Sequence, residues 1–157
     1  MQRRLFLVAG ASTLVLSTPA RAHHGWSSFD ADRPLYLEGR AAKVSWRNPH
    51  AEVELEVASP LALPADLTKR VVPAQSAQLD GPGILAKTVL PKRTDKQWEL
   101  ELAPLTRMEA WKVAEIKPGT PLSVVGYTFA GEKGEAIMRV EYLFVDGRAY
   151  ALRSSPA

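Results

Sequence analysis

Gln97-Trp98-Glu99-Leu100-Glu101-Leu102-Ala103 runs almost directly into Thr106-Arg107-Met108-Glu109. In the first stretch Trp98, Leu100 and Leu102 share one face and Glu99 and Glu101 the other, the period of a half-buried strand. Thr106-x-x-Glu109 reads as a capping box that opens a short helix over 107–115. Met108 and Trp111 lie on its packed side, and Pro118-Gly119 ends it. A third strand followed by a helix decides the fold, given what stands on either side.

Upstream, residues 35–46 predict a long first strand. Gly39 interrupts it and points to a bulge or sharp coil there. Asn48-Pro49 marks a turn, and His50 opens a second strand, in which Val53, Leu55 and Val57 alternate with Glu52, Glu54 and Glu56. Downstream, residues 121–129 predict a fourth strand and 131–134 a tight connection. Residues 136–145 predict a fifth strand, with Met138, Val140, Tyr142 and Phe144 inward and Arg139 and Glu141 outward. Asp146-Gly147 turns again, 148–152 adds a short edge, and 154–157 is expected to fray. The order β-β-β-α-β-β predicts an all-β fold with one short helix, a five-stranded barrel of the oligonucleotide/oligosaccharide-binding (OB) type. A β-sandwich is the alternative.

Between the second and third strands, 58–96 contains Pro60, Pro64, Pro73, Pro82 and Pro91. Prolines at that density break ladders and long helices. A surface insertion is expected, with a single helical turn near 65–69. Loops of this length commonly carry function, and a partner protein is one occupant it suggests.

Met1 to Ala22 reads as an export signal: Arg3-Arg4, an apolar run, then Ala20-Arg21-Ala22. The run is too short to span a bilayer. Arg3-Arg4-Leu5-Phe6-Leu7 is similar to a twin-arginine signal, and an ordinary secretory signal is the other reading. Cleavage after Ala22 predicts a periplasmic domain over 23–157, whose first part, 23–34, is an arm ahead of the barrel. Three of the 20 basic residues belong to the signal, so 17 basic residues face 17 acidic ones in the rest. That balance argues against a nucleic-acid partner. With no cysteine, disulfides, thiolate metal sites and thiol nucleophiles are excluded.

His23-His24-Gly25-Trp26-Ser27-Ser28-Phe29-Asp30, Glu38-Gly39, Trp46-Arg47-Asn48-Pro49-His50, Trp98-Glu99, Lys117-Pro118-Gly119 and Asp146-Gly147-Arg148 together resemble a family of small exported bacterial proteins. That family is known only as a domain of unknown function. The resemblance implies export and lends no activity.

All three histidines fall within these motifs. Once the signal is removed, His23 offers an α-amine and an imidazole, and His24 and His50 an imidazole each. Such a nitrogen set suits copper(II) in a flat, tetragonal site, and zinc as second choice. Each histidine also has a plain polar role open to it. Trp26, Phe29, Arg47 and Asn48 are candidates for a ligand platform. No hydrolase motif or acid–base pair is present, and no catalytic residue is assigned. Two readings lead: a non-enzymatic periplasmic metal binder using His23, His24 and His50, or an OB-like module taking a small ligand or partner through its barrel face and long loop; a copper-dependent oxidase with an amino-terminal histidine is a third, chemically conceivable one.

Overall fold

The computed structural model describes residues 25–157. The expected signal and the two histidines at 23 and 24 lie outside the described residues. Among the described residues there are six strands: β1 (Leu35–Ser45), β2 (Glu52–Val57), β3 (Gln97–Glu101), β4 (Pro121–Tyr127), β5 (Ile137–Val145) and β6 (Arg148–Ala151). They follow the order β3-β2-β1-β4-β5-β6, and a parallel β3–β5 pairing closes the first five into a barrel. This is the expected OB-like barrel, with β6 added as an edge.

The alternation seen in the sequence fills the interior. Leu35, Leu37, Val53, Leu55, Trp98, Leu100, Val124, Met138 and Val140 are buried in one cluster, and Met108 of α2 (Leu105–Ala110) closes it. Gly39 sits where β1 presses on β2, and a Cβ there would lie 1.9 Å from the Glu56 carbonyl oxygen. The β1 bulge itself falls between Ala41 and Lys43. Two cross-strand pairs, Val125–Tyr142 and Gly126–Val140, leave Glu141 without a register partner on β4. That extra residue reverses the alternation of β5. Leu143 and Val145 therefore join the interior, while Tyr142 and Phe144, expected inward, stand on the outer face.

The outer face carries a second core. Tyr36, Val125, Tyr142 and Ala151 are buried there beneath Leu67 and Leu85 of the insertion. The expected helical turn is present over Leu67–Lys69. A helix not expected from the sequence, α1 (Gly81–Lys87), follows it. Asp80 caps α1 by accepting from the Gly83 amide at 2.9 Å. Pro82 stands in the first turn, where the missing N–H costs nothing. The insertion is also tied down at its end: Glu132 accepts from the Lys92 and Arg93 amides and pairs with Arg33. Burial pushes the Glu132 carboxyl up, but the two amides and Arg33 pull it further down, below its ordinary value.

Two local expectations differ. The Thr106–Glu109 box does not cap α2; the Asn48 Oδ1 accepts from the Leu105 amide at 3.1 Å instead, so the β1–β2 turn supplies the cap. The tail over 154–157 is held rather than frayed. Trp111 Nε1 donates to the Ser154 carbonyl, and the Ser76 amide donates to the Ser155 carbonyl, both at 2.9 Å.

Candidate functional site: an arm clasped on a charged barrel face

β2, β3 and β5 lie side by side, and their outward residues form a charged row. Glu52 stands opposite Glu101, and Glu101 opposite Arg139. An outward strand face is ordinarily solvated, yet Glu101 and Arg139 are only 6% and 5% exposed. The amino-terminal arm covers them. Phe29 bridges to Phe129 and stacks on its ring at 5.1 Å, and the Asp30 amide donates to the Thr128 carbonyl at 2.8 Å. Arg139 lies under both arm aromatics, its guanidinium carbon 5.3 Å from the Trp26 ring centre and 5.4 Å from that of Phe29. Its Nε donates to Glu101 Oε2 at 2.8 Å, and Nη2 lies 2.5 Å from the same oxygen. Burial is tolerable for each charge because the other neutralises it.

Trp26 has a second cation. The Arg153 guanidinium carbon sits 3.6 Å from its ring centre, and Tyr127 meets the indole edge-on at 6.3 Å. Cation–π contacts contribute about 0.5–2 kcal/mol each, more where water is excluded. Arg153 is held in turn by the fully buried Glu141, Nε donating at 2.9 Å and Nη2 lying at 2.6 Å. Glu141 also accepts from Gln75 Nε2 at 3.1 Å. Arm, insertion and tail thus meet at one carboxylate. Burial pushes the Glu141 carboxyl above its ordinary range against the pull of Arg153 and Gln75. Tyr127 is pushed up to about 12, first by burial and then by the Glu141 charge.

His50 is half-buried at the entry to β2. The ladder runs on past the strand: the Ala51 amide donates to the Ala103 carbonyl, and the Leu102 amide donates to the Ala51 carbonyl, both at 2.9 Å. Ala51 is buried inward, so alternation places His50 on the outer face with Glu52. His50 thus leads into β2, and β3 stands between that strand and β5, which carries the arm.

The other sequence candidates separate. Trp26 and Phe29 belong to the clasp. Arg47 is exposed on the turn, and Asn48 is engaged in capping α2. Arg139, Glu101, Glu141 and Arg153 were missed as a group. The signal was present, since Arg139 and Glu141 are the charged residues of an otherwise apolar strand, but it read as a solvated face.

A second feature lies where the insertion meets β1, β4 and the end of β5. A groove of about 960 Å³ has Glu38, Arg40, Ser123 and Phe144 on its floor and Asp66, Arg70 and Val71 on its wall. Arg70 lies 4.9 Å over the Phe144 ring and pairs with Asp66 at 3.1 Å. Tyr36 donates to Glu38 at 2.5 Å, and burial with that carboxylate pushes the phenol up to about 12.

Among the described residues no group of three or more His, Asp or Glu side chains is placed to hold a metal ion, and no helix is long and apolar enough to cross a membrane. Fold and site define a small OB-like barrel with a clasped amino-terminal arm. Residues 12–66 match the Family of unknown function (DUF6152). The match takes in the arm, β1, the Asn48–Pro49 turn, His50 and β2. No curated protein and no solved structure matches the chain.

Proposed function

We propose that this is an exported, non-enzymatic binding protein that holds copper(II) at its processed amino terminus. His23 contributes its α-amine and imidazole, and His24 and His50 an imidazole each. The supporting observation is the arm: Trp26, just downstream of the two histidines, is fixed over Arg139 and Arg153 on the outside of the barrel. The three chain steps from position 23 to Trp26 can span roughly 10 Å. An amine with two or three imidazoles favours copper(II) over zinc by the Irving–Williams order. Export to the periplasm by the twin-arginine route, after folding, belongs to the same reading.

Protein beginning at His23 is expected to bind copper(II) at least tenfold more tightly than protein with one extra residue before it, measured by competition titration. Equal affinities would remove the terminal amine from the site.

The groove favours a second reading, a small-ligand module. Its size is within the range of small-molecule pockets. Its mixed carboxylates and guanidinium groups suit a neutral or zwitterionic compound better than a strongly charged one. Ser123→Trp is expected to abolish saturation-transfer signals from a panel of such compounds; identical signals in both proteins would discard this reading.

A further inference from the structure

We propose that the groove beside Arg70 takes a neutral, polyhydroxylated ligand: a short chain of sugar rings laid across the strands. The proposal rests on the small-ligand reading of the groove and adds the chemistry of its ligand.

Two neighbouring rows of residues cross the outer face of the sheet. Tyr36, Val125, Tyr142 and Ala151 stand opposite one another from β1 to β6, and so do Glu38, Ser123, Phe144 and Ala149. Leu67 and Leu85 of the insertion cover the first row. The second row lines the groove. Ser123 and Ala149, the cross-strand neighbours of Phe144, are both small, so space is left on either side of its ring. The row spans three strand spacings, roughly 14 Å. It lies on β1, β4, β5 and β6, not on the β2–β3 face where OB barrels commonly take ligands.

Charge along the groove is compensated locally. Arg40 stands opposite Glu56, Arg70 pairs with Asp66, and Asp146 and Arg148 flank Gly147 at the β5–β6 turn. Neither end carries one sign, so a fixed ion gains little there. The same groups keep hydrogen-bonding capacity. A guanidinium has five N–H donors, and a carboxylate about four acceptor sites. Arg70 donates from Nε and Nη2 to Asp66 at 3.1 and 3.4 Å, and from Nη1 to Ser123 Oγ at 3.4 Å. Arg40 donates from Nη1 to the Gly119 carbonyl at 3.0 Å, and Glu38 accepts from Tyr36 through Oε2. The remaining donors and acceptors alternate along the groove, those of Glu38 and Ser123 standing side by side on adjacent strands.

A hydroxyl group is donor and acceptor at once, and a row of hydroxyls matches such an alternation. An extended peptide binds best by joining a ladder, and here β1, β4 and β5 are already paired along the floor. Phe144, Pro121 and Val71, which is 88% exposed, supply apolar surface for the C–H faces of sugar rings. Arg70 is held in advance by Asp66 and by the Phe144 ring at 4.9 Å, so a ligand meets a wall that needs little further ordering. A linked sugar ring advances by about one strand spacing, so the row accommodates about three rings.

The test is calorimetric titration of the whole protein with gluco-, chito- and manno-oligosaccharides of increasing length. Triglycine serves as the peptide probe and trigalacturonate as the anionic one. Neutral saccharides are expected to bind, with affinity rising about tenfold from the single ring to the trisaccharide. That affinity is expected to change less than twofold between about 0.05 M and about 0.5 M salt, because no net charge is paired. Glu38→Gln and Arg70→Met are each expected to weaken the trisaccharide at least fivefold, and Ser123→Trp to abolish its binding. Should Ser123→Trp fail to fold, Ala149→Phe, on the other side of Phe144, carries the blocking test. Binding of triglycine or trigalacturonate alone, lost in the blocking variant, would overturn the sugar assignment and leave the groove reading standing. Saccharide binding that survives the blocking variants, or that ignores Glu38 and Arg70, would overturn the site. Silence from every probe would overturn the proposal and, if the compound panel were silent too, the groove reading with it.

Discussion

Replacing Arg139 with methionine is expected to lower the unfolding free energy by about 3–5 kcal/mol, the cost of leaving one member of a buried ion pair alone. Glu101 is 6% exposed, and Arg139 holds its carboxylate through Nε at 2.8 Å and Nη2 at 2.5 Å. Water cannot replace the lost cation while the arm covers the site. The same substitution removes the surface under Trp26 and Phe29, so the arm loosens as well. Urea denaturation provides the measurement. The paired change Arg139→Met with Glu101→Leu is expected to regain most of the loss, because an apolar pair of similar volume avoids desolvating either charge. A single variant within 1 kcal/mol of wild type would show that the pair is not sealed by the arm.

Tyr142→Ala is expected to cost a similar amount, about 3–5 kcal/mol for a large aromatic side chain removed from a packed site. Tyr142 is 1% exposed although it points away from the barrel interior. Its neighbours include Tyr36 and Val125 on the sheet and Leu67 and Leu85 of the insertion. Gly81 packs so closely that a Cβ there would lie 3.1 Å from the Tyr142 hydroxyl. Truncation therefore opens a cavity between barrel and insertion. Limited proteolysis is expected to cut first within 58–96, before the barrel opens. Unchanged protection of that segment, with a stability loss under 1 kcal/mol, would mean that the second core does not hold the insertion.

The barrel was legible because strand periodicity is local. Val53, Leu55, Trp98 and Leu100 declare their faces through neighbours two residues away. The helix at Met108 is bounded by turn residues within the same stretch. The β5 phase was not legible beyond Glu141. The bulge there depends on β4 register, and Val140-Glu141-Tyr142 carries no glycine to announce it. Helix α1 was obscured because Pro82 reads as a breaker unless its place in the first turn is known. The capping box at Thr106 matched its pattern and was displaced by Asn48, fifty-seven positions before the Leu105 amide that it caps.

The candidate site divides in the same way. Sequence alone determined the histidine inventory, the absence of thiols, the charge balance of the chain beyond its first 22 residues and the strand that His50 opens, since each depends on residue identity or short spacing. Tertiary structure alone decided that Arg139, Glu101, Glu141 and Arg153 are a buried socket rather than a solvated face. Burial of a charge depends on what the rest of the chain lays over it, and here that cover comes from three distant segments: the arm, the insertion and the tail.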